Sequence, residues 1–430
     1  MPFATQTAPV TTRCPHCGAE VPEGSDYCPV CGRLLSERSA RITLTITLLL
    51  IVAGLIGTQY FVNLHRATEM GLARRWFTRG EEAMQANAPK FAAEAYRTAL
   101  NYDRENSEYR LRLAQALLAD HRLAEAHAHL ISLWEEEPAN GEVNLTLARL
   151  EAQRGHVAAA VRYYNDAING VWQQDPREHR VDTRFELARY LLQKQQPARA
   201  QAELLALLAD APSDAADQLR LGTMLLQVND PTHALQAVQA LLSRDDNNAQ
   251  AWLEAGQAYL ALANYPEAER AIAEAVDRDP NLEGAREQLD LARELSHIDP
   301  NQRGLTLAER ADRVSRAFTT AMARLSSCAA QNGISLAQPA ASSGGSSGAA
   351  ASSATAIAAA PDPLQLLYTS GLQRQPDATE KALRKNPDAL EPTMQYVFEV
   401  ERTLAPVCSK MELTDRALLT LAQHESEGTR

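Results

Sequence analysis

Uncharged residues run without interruption from Ile42 to Leu64, whereas charged positions recur through most of the rest of the chain. As an α-helix this run would reach about 34 Å, enough to cross the roughly 30 Å hydrocarbon layer of a membrane with some tilt. Tyr60 and Phe61, near its end, suit the membrane interface. A cleaved signal peptide is the alternative. Because about forty residues precede the run, an uncleaved signal anchor fits better, and we predict a transmembrane helix over 42–64 that contacts lipid.

Beyond this segment, small residues recur with a period of 34 from Ala73 onward, the spacing of a helical repeat. Two helices of a hairpin approach each other most closely at two positions of such a unit, so only small side chains fit there. Position 8 holds Gly80, Ala114, Ala148, Ala188, Gly222 and Gly256, and position 20 holds Ala92, Ala126, Ala160, Ala200, Ala234 and Ala268. The pattern therefore predicts six helical hairpins.

These units resemble the tetratricopeptide-repeat (TPR) family over about 73–282, most clearly in the last unit, with Trp252, Gly256 and Tyr259. The resemblance implies an all-α fold, a TPR solenoid of antiparallel helix hairpins, joined here to a small N-terminal module and one transmembrane helix. With a capping helix over Glu283–Leu295 that covers the last apolar face, the six repeats span 73–297.

The repeat pattern is interrupted after the third unit. The expected Asp-Pro pair appears as Asp175-Pro176, four residues late, and six residues are inserted in all. We expect the second helix of repeat three to run one turn longer, and the solenoid to change its curvature locally.

The family resemblance also implies a binding surface, because positions 5, 9, 12 and 13 of each repeat line the concave face of a TPR solenoid. Here they form an aliphatic, amide-edged groove, which suits an extended or helical polypeptide partner. No small-molecule substrate is evident. Apolar residues at helical spacing are more often packed between hairpins, and arginines are more often solvated, so both alternatives stay open. The predicted groove residues are Phe77, Leu111, Leu145, Arg149, Gln153, Phe185, Arg189, Gln193, Leu219, Gln227, Leu253 and Gln257.

The remainder of the chain divides at a segment of low complexity. Residues 303–332 are predicted to form a helix, which Thr306 and Glu309 open with capping-box spacing. The Ala/Ser/Gly run at 340–360 cannot bury enough surface to fold and is predicted to be a mobile linker. Residues 361–430 form a C-terminal helical segment, with helices expected at Leu364–Leu372, Ala378–Arg384, Thr393–Thr403 and about Asp415–Gln423, the last capped by Thr414.

Four of the six cysteines lie before the membrane segment, in two copies of Cys-Pro-x-Cys-Gly. Each copy places two thiolates on a tight turn, and four such donors complete a tetrahedral Zn²⁺ site with no open position for catalysis. The doubled motif resembles the zinc-ribbon family over 12–34, and residues 1–11 before it are predicted to be disordered. The predicted zinc ligands are Cys14, Cys17, Cys28 and Cys31.

Two other assignments of these cysteines are alternatives to zinc. Two disulfides would need an oxidising compartment, and a rubredoxin-like iron site would use the same turns. His16 lies between two ligands and is expected to face outward, because four cysteines already fill the shell. The ribbon is charge-neutral, with Tyr27 as its one stacking candidate, so a structural or protein-docking role is favoured over nucleic-acid binding.

Cys328 and Cys408 lie far beyond the membrane segment, each near the end of a predicted helix. If this part of the chain is outside the cytoplasm, a disulfide between them is reasonable and would clamp the C-terminal helices to the end of the solenoid. Two buried free thiols are the alternative.

Charge bears on partners but not on orientation. The net charge of −12 arises after the membrane segment, so nucleic acid is an improbable partner there. Because arginines flank both ends of the apolar run, the positive-inside rule gives almost no indication of its orientation. Thiolate ligands persist most readily in a reducing cytoplasm, which places the N terminus inside and the repeats outside, in the bacterial periplasm if the source is Gram-negative.

The sequence shows no nucleophile–base pair, phosphate-binding glycine loop or catalytic metal spacing, so an enzyme is not expected. The leading hypothesis is a membrane-anchored scaffold that binds polypeptide partners and helps to assemble or chaperone an envelope complex. One alternative is a transmembrane sensor that reads zinc or redox state through the ribbon. Another is nucleic-acid binding by the ribbon.

Overall fold

The computed structural model describes residues 10–33, 35, 37–210, 212–336, 363–408 and 410–428. The predicted linker at 340–360 lies outside these residues, as does most of the predicted disordered start. Two compact units make up the chain, Met1–Gln174 and Asp175–Arg430.

The first unit contains a two-stranded antiparallel sheet followed by helices. Its elements are β1 (Thr11–Arg13), β2 (Glu20–Pro22), α1 (Glu37–Gln85), α2 (Pro89–Tyr102), α3 (Ser107–Ala119), α4 (Leu123–Glu136), α5 (Gly141–Arg154) and α6 (Val157–Ile168).

The second unit is helical in its described residues. It comprises α7 (Pro176–Gln193), α8 (Pro197–Asp210), α9 (Ala215–Gln227), α10 (Pro231–Leu242), α11 (Ala249–Ala261), α12 (Tyr265–Arg278), α13 (Ala285–Ile298), α14 (Leu307–Gln331), α15 (Pro363–Arg374), α16 (Glu380–Lys385), α17 (Leu390–Leu404) and α18 (Leu413–Gly428).

Small residues bring the two helices of each hairpin together where the 34-residue period places them. A Cβ atom added to Gly80 would overlap the Tyr96 ring, and one added to Gly256 would overlap Ile272. The alanines at position 20 are buried in all six hairpins. The predicted all-α fold of stacked hairpins with a small N-terminal ribbon is confirmed.

The first hairpin, α1 with α2, has a polar outer face. At positions 3, 7 and 10 the second repeat carries Tyr109, Leu113 and Ala116, all buried. The same positions of α1 carry Arg75, Arg79 and Glu82. A terminal repeat needs such a polar face because no neighbour covers it, so the solenoid begins at this hairpin.

Helix α1 continues from the N-terminal side of the apolar run into the first repeat. Within the described residues it is the one helix long and apolar enough to cross a membrane, by length and composition. Its apolar side chains are exposed, among them Leu49, Leu55 and Phe61.

The residues inserted after repeat three do not lengthen the second helix of that repeat, so this prediction was wrong. Helix α6 ends at Ile168, and the following loop pairs with the start of α5. The Val171 amide donates to the Ala139 carbonyl at 2.7 Å, and the Trp172 indole N–H donates to the Ala167 carbonyl at 2.9 Å. The remaining inserted residues extend α7 at its N terminus. These hydrogen bonds pair the polar groups of the loop, so the loop is stable without an extension of α6.

The helices after the repeats form one core with the end of the solenoid. Val314 and Phe318 of α14, Leu367 of α15 and Val397 of α17 are buried together, and Tyr265 of α12 and Leu295 of α13 belong to the same cluster. The Tyr265 hydroxyl lies 2.8 Å from Nδ1 of His424 on α18. The C-terminal segment therefore folds back over the last repeat and its capping helix.

A disulfide and a buried ionic group tie this core together. Cys328 at the end of α14 is bonded to Cys408 after α17, with Cα atoms 6.0 Å apart. One turn earlier on α14, the buried Arg324 guanidinium pairs with Glu401 of α17 and with Asp415 of α18, the latter at 3.4 Å. The disulfide and the ionic group thus link α14 to α17 and α18.

The start of α18 corrects the predicted cap. Thr414 lies inside the helix, and its hydroxyl donates to the Glu294 carboxylate of α13 at 2.7 Å. The helix N terminus is closed instead by Asp415, whose carboxylate accepts from the Glu412 amide at 3.0 Å. Thr414 and Asp415 are adjacent and both can accept from a nearby amide, so spacing alone does not show which of them caps the helix. By contrast, Thr306 and Glu309 form a reciprocal capping box at α14.

Candidate zinc site and partner-binding surface

Two equivalent turns present the four N-terminal cysteines. The Gly18 amide donates to the Cys14 carbonyl at 2.9 Å, and the Gly32 amide donates to the Cys28 carbonyl at 2.8 Å. Both glycines have positive φ, +76° and +71°, which a residue with a Cβ adopts at a cost. The repeated Cys-Pro-x-Cys-Gly motif therefore folds twice into one shape.

The four sulfur atoms converge on one point. All lie within 4.8 Å of one another. Sγ of Cys14 is 3.9 Å from Sγ of Cys31, and Sγ of Cys17 is 3.6 Å from Sγ of Cys28. Tetrahedral Zn–S bonds of about 2.3 Å would separate sulfurs by about 3.8 Å, so the donor set fits a zinc ion.

Backbone N–H groups favour the thiolate forms of Cys14 and Cys28, whereas at Cys17 a backbone bond at Ala19 is outweighed by the neighbouring thiols, which raise its pKa to about 12. Hydrogen bonding from the Cys17 and His16 backbone lowers the pKa of the Cys14 thiol, and the Cys31 backbone lowers the pKa of the Cys28 thiol to about 6. Amide bonds to sulfur of this kind also orient metal ligands. His16 faces the Arg33 guanidinium, 2.9 Å from its Nδ1 atom, on the exposed side of the turn.

The apolar residues of the predicted groove are mostly packed inside the repeats. Leu111, Leu145, Phe185 and Leu253 are buried, each at 9% exposure or less. Phe77 and Leu219 are half-buried. Phe77 stacks on Tyr109 of the next repeat, with ring centroids 4.7 Å apart. For the four buried residues the structure favours the packing role that the sequence left open.

The polar residues of the predicted groove lie at the surface. Gln153, Gln193 and Gln227 are exposed, as are Arg149 and Arg189. Gln257 is half-buried, and its amide donates to Gln288 of α13 at 3.1 Å. In the part of the chain that the structure describes, the three exposed glutamine amides make no hydrogen bond.

Polar ladders join the first helices of neighbouring repeats, and sequence reasoning did not anticipate them. In the first unit Arg112 of α3 pairs with Glu142 of α5 at 2.7 Å and lies 3.9 Å from Glu81 of α1. In the second unit Arg220 of α9 pairs with Asp182 of α7 at 3.4 Å. The available signal was charge of alternating sign about one repeat apart.

Glu254 of α11 is a buried acid at the contact between repeats five and six. The residue is 4% exposed. Its Oε1 accepts from the Thr223 hydroxyl at 3.0 Å, and its Oε2 faces Gly222 with no partner among the described residues. Burial raises the pKa of this carboxyl to about 7, although bonds from Thr223 and Gln250 oppose the shift.

Glu254→Gln is expected to stabilise the second unit at alkaline pH. The folded-state pKa of Glu254 lies above the unfolded value near 4.5, so its contribution to stability is complete below pH 4.5 and is lost as pH rises to about 7. The loss amounts to about 3 kcal/mol, which the neutral amide avoids. Urea unfolding at pH 5 and pH 8 measures it, in a chain with Trp76, Trp134 and Trp172 replaced by Phe so that Trp252 gives the fluorescence signal.

The exposed Glu287→Gln is the matched control and should leave the difference between the two pH values unchanged. An equal urea midpoint for wild type and Glu254→Gln at pH 8 would show that the carboxylate is solvated in the folded protein.

Comparison with known families agrees with this description. A zinc-ribbon domain model matches residues 13–35. Two tetratricopeptide-repeat models match residues 117–170 and 219–283. Both family resemblances predicted from the sequence are thereby confirmed: the chain carries a zinc ribbon and tetratricopeptide repeats.

Several solved structures are similar to part of the chain. YrrB, described as a TPR protein with an unusual peptide-binding site, is 19% identical, covering 45% of this chain and 97% of that one at a TM-score of 0.34. PilF of Pseudomonas aeruginosa is 15% identical, covering 51% and 97% at 0.36. PilW, described as a widely conserved type IV pilus biogenesis factor, is 18% identical, covering 50% and 98% at 0.36. No curated protein sequence matches the chain.

Proposed function

We propose that this chain is a membrane-anchored adaptor whose repeats bind polypeptide partners outside the cytoplasm, in the assembly or chaperoning of an envelope complex. The observation that carries the proposal is the set of exposed glutamine amides at one repeat position. Gln153 lies in the first unit, and Gln193 and Gln227 lie in consecutive repeats of the second unit. Each amide offers a donor and an acceptor, which is what the backbone of an extended peptide requires.

The polar ladders sharpen this proposal. Arg112, Glu142, Asp182 and Arg220 already pair within the chain, so a partner would have to break these bonds to use them. The glutamines carry no such internal bond in the described residues, and a partner engages them without that loss. Amides also bond any peptide backbone, so side-chain selectivity must come from neighbouring exposed groups such as Arg189.

The proposal includes a zinc ion held by the ribbon and a defined orientation. Cys14, Cys17, Cys28 and Cys31 would hold the ion, which would supply a structural cross-link and no reactive position. Thiolate ligands suit a reducing compartment, and the Cys328–Cys408 disulfide suits an oxidising one. An N terminus in the cytoplasm and repeats outside it satisfy both requirements with one membrane crossing.

Site-specific photo-crosslinking in cells tests the proposal. A photoreactive amino acid replaces Gln193 or Gln227 in the full chain, and Arg199 on the second helix of repeat four is the matched exposed control. We expect discrete adducts from the two glutamine positions and none from position 199. Adding Gln227→Ala to the chain that carries the probe at 193 should lower the adduct yield several-fold, because the glutamine contact that the second unit retains is then lost as well.

Protease added to spheroplasts should digest these adducts and leave the ribbon protected. Adducts of equal yield from all three positions would contradict specific binding at this surface, and adducts shielded from protease would contradict the orientation.

A further inference from the structure

Helix α1 joins the apolar run to the first repeat without a break. It extends over 49 residues from Glu37 to Gln85. The connecting residues 65–72 contain no proline and are helical throughout. His65 and Glu69 pair at 3.3 Å across one turn, and the Thr68 hydroxyl donates to the His65 carbonyl at 2.7 Å. The first helix of repeat one is thus the direct extension of the apolar helix.

The rest of the first repeat is packed onto this extension. The buried Tyr96 of α2 lies against Gly80, and its hydroxyl donates to Glu81. Phe77 of α1 stacks on Tyr109 of α3, so the second repeat is also packed against α1. Because α2 runs antiparallel to α1, the α1–α2 turn and the α2–α3 turn lie at opposite ends of the hairpin.

We infer that α1 fixes the first repeats upright on the membrane, with their helices along the axis of the membrane helix and their groove in a layer close to the bilayer. This inference rests on the proposed membrane anchor. At 1.5 Å per residue, Ala73 lies about 14 Å and Gln85 about 32 Å beyond Leu64. The 14 residues of α2 return about 20 Å toward the bilayer, so the turn at 103–106 faces the lipid surface.

The orientation selects a class of partner. A peptide crossing successive first helices runs perpendicular to them, and therefore parallel to the bilayer, at a height of about 14 to 32 Å. A segment of a second membrane-anchored chain, just outside its own membrane span, is held at that height by its own anchor. Two anchors in one plane raise the effective concentration of such a segment, whereas a freely diffusing partner gains nothing from the position.

Distance measurement to the lipid surface tests the orientation. A fluorescent amino acid is placed at Lys90 or at Glu105, both exposed, in the full chain reconstituted into nanodiscs with acceptor-labelled headgroups. We expect Glu105 to lie about 20 Å nearer the acceptors than Lys90. Thr68→Pro should abolish this difference by breaking the helix outside the packed repeat, and Thr68→Ala should preserve it. Equal distances at the two positions in the unmodified helix would overturn the inference.

Insertion of two helical turns, seven residues, after Thr68 tests the partner class. It raises the groove by about 10 Å while rotating it by only about 20°. Gln85 is exposed and occupies in repeat one the position that Gln153 occupies in repeat three. With a photoreactive residue at Gln85, we expect a several-fold loss of adduct in cells, and an unchanged yield would overturn the membrane-anchored partner. Failure of the chain to enter nanodiscs, or no adduct before the insertion, would instead contradict the proposed function.

Discussion

Removing the metal is expected to unfold the ribbon over residues 10–35 completely. Among its described residues, Val21 is the one buried side chain other than Cys14 and Cys28. A module with so small a core has no independent stability. Structural zinc contributes about 10 to 16 kcal/mol of apparent binding free energy in comparable sites, so metal binding and folding of the ribbon are one event.

Metal analysis of the full chain should find one zinc ion per chain, and Cys28→Ser should lose it. After chelation, the four ribbon thiols should become reactive toward a thiol reagent, and ribbon amide resonances should collapse to the dispersion of an unfolded segment. His16→Ala is the control: this side chain faces Arg33, so its removal should leave the zinc content unchanged.

Two results would contradict a Zn(Cys)₄ site. One is ribbon thiols that stay unreactive after complete chelation, as disulfides would. The other is iron in place of zinc in protein purified from cells grown with both metals.

Loss of the Cys328–Cys408 disulfide is expected to release the C-terminal helices from the repeats. The bond closes a loop with a sequence separation of 80 residues. In the chain-entropy model its removal destabilises the core by about 4 to 5 kcal/mol, equivalent to roughly a thousand-fold change in the opening equilibrium. The Arg324 group depends on the same helices, and a guanidinium left without its carboxylates in a core adds to the loss.

Hydrogen exchange of the Cys328→Ser/Cys408→Ser double variant measures this effect. Amides of α17 and α18 should exchange up to a thousand-fold faster than in wild type. Peptides from α5 and α6, which lie in the other compact unit, are the internal control and should be unaffected. Exchange rates in α17 and α18 that do not change would mean that the ionic group and the apolar core hold these helices without the bond.

The periodic pattern by itself could not separate groove residues from packing residues. Leu111 and Leu219 occupy the same position of their repeats, yet one is buried and the other half-buried. The exposure of a residue at this position depends on the side chains of the neighbouring repeat, such as Tyr109 against Phe77. The polar groove residues predicted at positions 9 and 13, Gln257 apart, lie at the surface instead, because an unpaired polar group is costly to bury.

Glu254 shows the opposite case, a charged residue that hydropathy places outside and the fold places inside. Its position follows from Gly222, whose missing side chain leaves the space that the carboxylate fills. Neither residue is unusual in its own helix. Only the packing of α9 against α11 brings Glu254 next to Gly222, so the burial of the carboxylate cannot be read from either helix alone.

The sequence alone determined the four-cysteine cluster, the apolar helix and the small residues of the hairpins, because each depends on neighbours within one turn or one hairpin. Only the tertiary structure decided what joins residues far apart. It paired Thr414 with Glu294, 120 residues away, and Tyr265 with His424, 159 residues away. It also placed the inserted residues in a loop and in α7. Local spacing fixes which residues share a helix face, whereas the partner of that face depends on how the remaining helices pack.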